Sequence, residues 1–445
     1  MTFMPPFFPS MIRLLSHLIA AVAITASAAD SPQWRGPDGQ GHFEARDLPL
    51  TWSETEHVIW KRELPGRGWS SPIVAGNQVW MTTAVETAAT AEESARRTKD
   101  NKSGQPLTVL DAVSLRVLCV DRQTGEIIHN EEVLNERNPQ WVHELNSYAS
   151  PTPVIEDGRV YAHFGAFGTA CVDTTSGSVL WRNTDTRINH ENGPGSSPVL
   201  WKDLLIFHCD GSDKQFVCAL DKQTGKLAWK TDRTGEMHSN PQFKKAYGTP
   251  LITDIDGHPT MISTGADWVY GYDPATGKEL WKVPYGELGF SMAPRPVAGL
   301  GMVFFSTSFM KPEMFGLKMD GTKTPTVVWH NSKNAPTISS PLLVGEELYF
   351  VSDGGILSCV NARTGQDYYR ERLGGKFTSS PLLADGRIYV CSREGVTSVI
   401  KPGPKFGVLA QNKLDGAIMG TPAAVDDAIF IRTDKALYRI GGGKK

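Results

Sequence analysis

Residues 221–230 read DKQTGKLAWK and residues 273–282 read DPATGKELWK. Both carry an Asp, then a Thr-Gly, then a Trp, at the same spacing. The pattern recurs as Asp173, Gly177 and Trp181. His129 takes the aromatic place after Asp121 and Gly125, and Tyr369 takes it after Asn361 and Gly365. A degenerate copy ends at Trp329. One pattern returning at a near-constant offset is the signature of a repeat architecture. The other half of the unit is a Ser/Thr-Pro leading into an apolar hairpin, as in SSPLLVGEELYFV (339–351) and SSPLLADGRIYVC (379–391). Its prolines are read as Pro72, Pro153, Pro198, Pro250, Pro294, Pro341, Pro381 and Pro422, which makes eight units.

Each unit has the chemistry of four short strands. Alternating apolar residues in RIYV and ELYFV give the period of two that a half-buried strand requires. Short DG, GN and GE turns join the first two strands. In DKQTGK the Asp caps a tight turn, and Gly supplies the positive φ. The Trp then falls on the fourth strand, placed to wedge between neighbouring sheets. Four strands repeated radially make a β-propeller. The expected fold is therefore all-β: an eight-bladed propeller of four-stranded antiparallel blades. The last unit, TPAAVDDAIFIRTDKALYRIGG, supplies three strands. The segment HVIWKREL (57–64), with Trp60 as anchor, is expected to pair with it and close the ring.

Bulk properties agree. Of 445 residues, 40% are hydrophobic and 21% charged, as in a soluble globular protein. The net charge of −3 offers no basic field for nucleic acid. The 43 glycines and 29 prolines suit a chain of many short strands and turns. At the N-terminus, Arg13, the apolar run Leu14–Ala23 and the small residues Ala26-Ser27-Ala28 read as an export signal. Residues 1–29 are expected to be that signal, with Met11 an alternative start. Residues 30–56 then form an N-terminal extension and 57–445 the propeller. No cysteine follows the cleavage zone, and no later segment is apolar for long enough to span a membrane. A periplasmic or secreted chain without a lipid anchor is expected.

Connections between strands two and three, and from strand four to the next blade, share one face and are long. Function on a repeat scaffold concentrates in such loops. Three of them carry related triplets: His143, Glu144 and Asn146; His190, Glu191 and Asn192; His238 and Asn240. Tyr148, Lys244, Lys245, Tyr247, Arg67, Trp69 and Arg295 lie in equivalent approaches. Such a set can hold a polar planar ligand or a metal in an axial funnel, or hydrogen-bond the loop backbones. No catalytic residue and no metal ligand is assigned. The polar insertion 86–107 belongs to the same face and reads as a solvated loop, or as a lid. DIDG (254–257) reads as a hairpin turn rather than a calcium loop. Cys119, Cys171 and Cys359 share one strand position and read as small packing residues. Cys209 and Cys218 lie on one hairpin, and whether they bond is open.

The units resemble the PQQ-like propeller repeat, the family named after pyrroloquinoline quinone enzymes, over roughly residues 33–440. QWRGPDGQG (33–41), GPGSSPVL (193–200) and IFIRTDKALYRIGG (429–442) look most like secreted, uncharacterised bacterial members. The resemblance implies two possible roles. Dehydrogenases of the superfamily bind the quinone and calcium in the funnel. Many carry adjacent cysteines beside the quinone, with a catalytic Asp, and a Glu and an Asn on calcium. Here there is no Cys-Cys pair and no CxxCH haem motif, and no Asp matches the catalytic position. Other relatives are non-enzymatic and include the outer-membrane assembly lipoprotein. The leading expectation is an exported binding or scaffold protein for a small polar ligand or an envelope or secreted protein. The alternative is a PQQ-dependent alcohol or sugar dehydrogenase, with Glu144 or Glu191 as base or calcium ligand.

Overall fold

A computed structural model of the protein describes residue 1 and residues 30–99, 108–321 and 323–442. The expected export signal, apart from residue 1, lies outside the described residues. Eight sheets succeed one another along the chain. The first blade is Ile73–Ala75, Gln78–Ala88, Leu110–Asp121 and Ile127–Arg137. The eighth is Ala423–Val425, Ala428–Arg432 and Ala436–Gly441, completed by Val58–Glu63 from the other end of the chain. Trp60 pairs with Arg439 in that closure. The seventh blade departs from four strands, because His42–Phe43 adds to Leu382–Ala384 in parallel.

The repeated Asp, Gly and Trp make one latch. Asp221 Oδ1 accepts the N–H groups of Gln223 (3.1 Å) and Thr224 (2.8 Å), and Gly225 turns the chain at φ 71°. The preceding blade's Trp181 lies on that turn and donates its indole N–H to Lys222 O at 3.1 Å. A Cβ on Gly225 would sit 2.4 Å from Trp181 Cε3. Trp60 does the same to the first blade through Arg122 O (3.0 Å), and Trp329 to the sixth through Ala362 O (2.8 Å). Strand three answers with a small residue opposite each aromatic: Cys119, Cys171, Ala219, Gly271, Gly316 and Cys359. The apolar core is correspondingly divided into clusters between adjacent blades. Cys209 and Cys218 are free, buried thiols.

The Ser/Thr before each proline forms a second, inner latch. The backbone N–H of one blade donates to the hydroxyl of the next: Ser71 to Thr152, Thr152 to Ser197, and Ser197 to Thr249, each at 2.9 Å. The sequence continues from Arg295 to Ser340 and from Ser340 to Ser380 at 2.9 Å, then from Ser380 to Thr421 at 3.1 Å. Thr421 returns to Ser71 at 2.9 Å. The fifth blade breaks the pattern, because Arg295 stands where the others carry a hydroxyl. Its strand Val297–Gly299 follows Pro296, so Pro296, not Pro294, is the repeat proline of that unit.

The N-terminal extension crosses the opposite, tight-turn end. Ser31 pairs with Val74, Pro32 O accepts from Ile155 N (2.9 Å), and Gly41 O accepts from Leu383 N (2.8 Å). Arg35 donates to Pro341 O (2.6 Å), and Arg295 donates to Trp34 O (3.1 Å). One short segment thus touches the first, second, fifth, sixth and seventh blades and plugs the axis. Of the insertion 86–107, residues 100–107 lie outside the described residues, and the described part is regular structure rather than a solvated loop. It lengthens two strands and carries a helix, Ala91–Thr98, capped by Thr90 and tied down by Arg97 to Leu110 O (2.8 Å). DIDG makes a hairpin turn, with Asp254 Oδ1 accepting from Gly257 N at 2.7 Å.

Candidate functional site

On the loop-rich face a funnel of about 810 Å³ opens over the axis, and it is lined from all eight blades. Every wall residue from the propeller belongs to a two-to-three or an inter-blade connection. Trp34 also lines it, so the plug forms its floor. Trp69, Trp141, Phe243, Phe290 and Phe309 give the wall its apolar body. Phe243 stacks on Phe290 at 4.5 Å, and Phe290 meets Phe309 edge-on at 5.7 Å, a ladder across three loops. Phe309 is 59% exposed and its neighbour Met310 58%, with Leu145 and Ile338 also exposed at the rim.

The polar groups named from sequence divide by place. His143, Asn146, Glu191, Asn192, Tyr247 and Trp69 line the funnel. Glu144 lines a smaller side cleft of about 310 Å³ that shares Trp69 and Leu145 with it. His190, His238, Asn240, Lys244, Tyr148 and Arg67 are not on the funnel wall. His190 is buried, edge-on to Phe167 at 5.1 Å, and burial lowers its pKa to about 4. Tyr148 is buried and donates to Gln140 O at 2.8 Å. His238 Nδ1 accepts from Asn240 N (3.0 Å), and Asn240 caps Gln242 N (3.0 Å). Arg67 lies over Trp69 and donates to Glu144 O at 2.8 Å.

Several of these groups lace one loop to the next. Asn146 Nδ2 donates to Asn192 O (2.8 Å) and Pro194 O (3.1 Å), and Tyr247 donates to His190 O (2.6 Å). Loop backbones that leave regular structure must find partners, and neighbouring side chains provide them. The wall's one lysine, Lys245, is buried, 3.5 Å from Glu191 and 2.8 Å from Gln242 Oε1. Burial pushes its ammonium below the usual range, against the pull of Glu191.

The residues do not fit a calcium–quinone pair. Among the described residues no three His, Cys, Asp or Glu side chains gather as metal ligands. Glu191 is occupied by Lys245, and Asp353 by the N–H (3.0 Å) and hydroxyl of Thr337. The quinone's three carboxylates would face a single wall ammonium. Arg35 and Arg295 are buried off the wall and bonded to backbone carbonyls, and Arg295 alone stands at the inner ring, which suits one carboxylate and not three.

Sequence reading missed Trp34, Phe243, Phe290 and Phe309. A signal for Trp34 was present in the glycines of QWRGPDGQG: Gly36, Gly39 and Gly41 all have positive φ, and a Cβ on Gly39 would strike Arg295. The phenylalanines sit singly in loops of unlike sequence, so no period exposes them.

Comparison with known proteins adds kinship. A family model described as "Outer membrane protein assembly factor BamB" matches residues 46–231, 169–254 and 265–416. The BamB of Legionella pneumophila (strain Paris) is 26% identical over 214 residues, 45% of this chain and 49% of that protein. The chain thus aligns with about half the length of that relative. The solved BamB of Moraxella catarrhalis superposes with a TM-score of 0.53 at 14% identity, covering 76% of this chain and 99% of that one. The quinohemoprotein alcohol dehydrogenase of Comamonas testosteroni gives 0.53 at 12%, covering 94% and 81%. At such identities the structural likeness speaks for the fold alone. No described helix is long and apolar enough to cross a membrane.

Proposed function

The chain belongs to the PQQ-like propeller-repeat family described as outer membrane protein assembly factor BamB, and we propose that it is an exported binding or scaffold protein. Its loop-rich funnel would receive a segment of an envelope or secreted protein. The carrying observation is the funnel itself: floored by Trp34, walled by aromatics, and rimmed by exposed Phe309, Met310, Leu145 and Ile338. Exposed apolar side chains on the rim of an aromatic-lined concavity are what a docking site presents. Buried aromatic anchors supply most of the energy in such contacts. Export is supported by the reading of residues 11–29 and by the envelope role in the relatives' names.

The test is a rim variant. Phe309→Glu with Ile338→Glu changes only exposed side chains and leaves both latches intact. The native chain is expected to retain a discrete partner from an envelope fraction, and the variant at least tenfold less. Equal retention by both would contradict the reading. Stoichiometric binding of quinone with calcium and dye reduction by an alcohol would replace it with the dehydrogenase reading.

A further inference from the structure

The inner latch leaves half of its chemistry unused. Each of its hydroxyls accepts a backbone N–H, yet a hydroxyl is also a donor. Among the described residues, Ser71, Thr152, Ser197 and Thr421 have no acceptor for that O–H. All four are buried, at 3–4% exposure, and all four line the throat of the funnel. They occupy the eighth, first, second and third blades in succession, so they form one continuous arc. The indole N–H of Trp69 is likewise buried, without an acceptor, and borders the same cavity. Donors left unpaired in a buried throat cost free energy unless an acceptor arrives.

On the funnel wall Glu191 is paired with Lys245 and Asp353 with Thr337, so the uncompensated charge nearest the ring is cationic and lies behind the wall. At the ring position of the fifth blade stands the guanidinium of Arg295, fully buried and bonded only to carbonyls, Pro250 O and Trp34 O, both at 3.1 Å. Arg35, next to Trp34, is also fully buried, and its Nε and Nη1 have no partner. The nearby carboxylate, Asp38, is held by His42 at 2.7 Å. No ring position carries a carboxylate. Water would satisfy the donors, and an anion would in addition be drawn by the Arg295 guanidinium behind the ring.

We infer that the throat is a binding site for a single carboxylate, carried on an aromatic or apolar body that fills the funnel above Trp34. This rests on the funnel being the binding site and names the chemistry that it selects. A carboxylate accepts several hydrogen bonds at once, and charge-assisted bonds are the strong ones. The head group has two sources: a free aromatic acid, or the C-terminus of a polypeptide ending in an aromatic residue.

Calorimetry of the purified chain with matched pairs tests it. One pair is indole-3-propionic acid and its primary amide. The other is a pentapeptide ending in Trp with a free carboxylate, and the same peptide amidated. The acid of at least one pair is expected to bind at least tenfold more tightly than its amide, and the pair that does so identifies the source. Thr152→Ser should keep that preference, and Thr152→Val should lose it. Trp69→Phe, which leaves the ring intact, should weaken acid binding several-fold without changing amide binding. Equal affinity of acid and amide in both pairs, or no binding by either acid, would overturn the inference. The rim-variant result is independent of these titrations, so failure of the carboxylate site is distinguishable from failure of the funnel as a docking site.

Discussion

The backbone N–H of Thr421 donates to Ser71 Oγ at 2.9 Å, joining the eighth blade to the first across 350 residues of chain. At the outer edge the chain that leads into the first blade supplies the eighth blade's last strand, Val58–Glu63 on Ala436–Gly441. Closure is therefore made twice, once near the axis and once at the rim. Ser71→Ala strands a buried N–H, which costs about 1–3 kcal/mol. Ser71→Thr, which keeps the acceptor, is expected to restore most of it. Urea unfolding of the three proteins checks this. A Ser71→Ala midpoint equal to that of the native chain would mean that the ring contributes nothing.

The outer latch makes a sharper contrast. Gly225→Ala would place a methyl 2.4 Å from the Trp181 ring at a φ of 71°. Overpacking and left-handed strain together predict a loss of about 2–4 kcal/mol. Gly257 has a similar φ of 82° with nothing within 4 Å of its would-be Cβ. Gly257→Ala should cost only the conformational part, about 1–2 kcal/mol. Comparable losses in thermal unfolding would refute the role of the indole.

Three buried histidines set an acid limit. Burial lowers the pKa of His163 to about 3, that of His190 to about 4, and that of His208 well below its usual value. The unfolded chain, near 6.5, then binds more protons than the folded one. Their contribution is intact above pH 6.5 and is lost as pH falls from there toward 4 for His190 and 3 for His163. The slope is about 1.4 kcal/mol per pH unit for each. Stability measured in urea between pH 7.5 and 4.5 should fall accordingly. His163→Asn should flatten the slope by one histidine's share, and an unchanged slope would contradict this.

The plug carries a titration of opposite sign. His42 has an acceptor on each ring nitrogen, Asp38 Oδ2 at 2.7 Å and Leu343 O at 2.7 Å, so only the imidazolium satisfies both. Its hydrogen bond to Asp38 raises its pKa despite burial. That contribution is complete below the unfolded value and is lost as pH rises through the raised folded one. A ring-proton NMR titration should place His42 above 6.5. A midpoint at or below that value would show that the plug is held without it.

The architecture was legible because its causes are local and repeated. Asp221, Gly225 and Trp229 each do one physical job, and the same jobs recur in other blades. The blade count, the closure through Trp60 and the identity of the looped face follow from that repetition. The fifth blade was misaligned by two residues because Arg295 replaces a hydroxyl and two prolines flank it. The funnel was less legible. Its floor comes from Trp34, far in sequence from the loops above, and its ladder from Phe243, Phe290 and Phe309, which share no motif. Histidines drew attention as ligand types, yet burial gave His190 to the packing against Phe167, and backbone capping occupied His238.

The most direct measurement places a photo-crosslinking residue at Phe309, on the rim of the funnel, and in a second protein at Gly386, in a tight turn of the opposite face, each expressed in an export-competent cell. Adducts with a discrete envelope or secreted protein are expected from position 309 and not from position 386. Adducts from 386 alone, or none from 309, would contradict the funnel as the binding site.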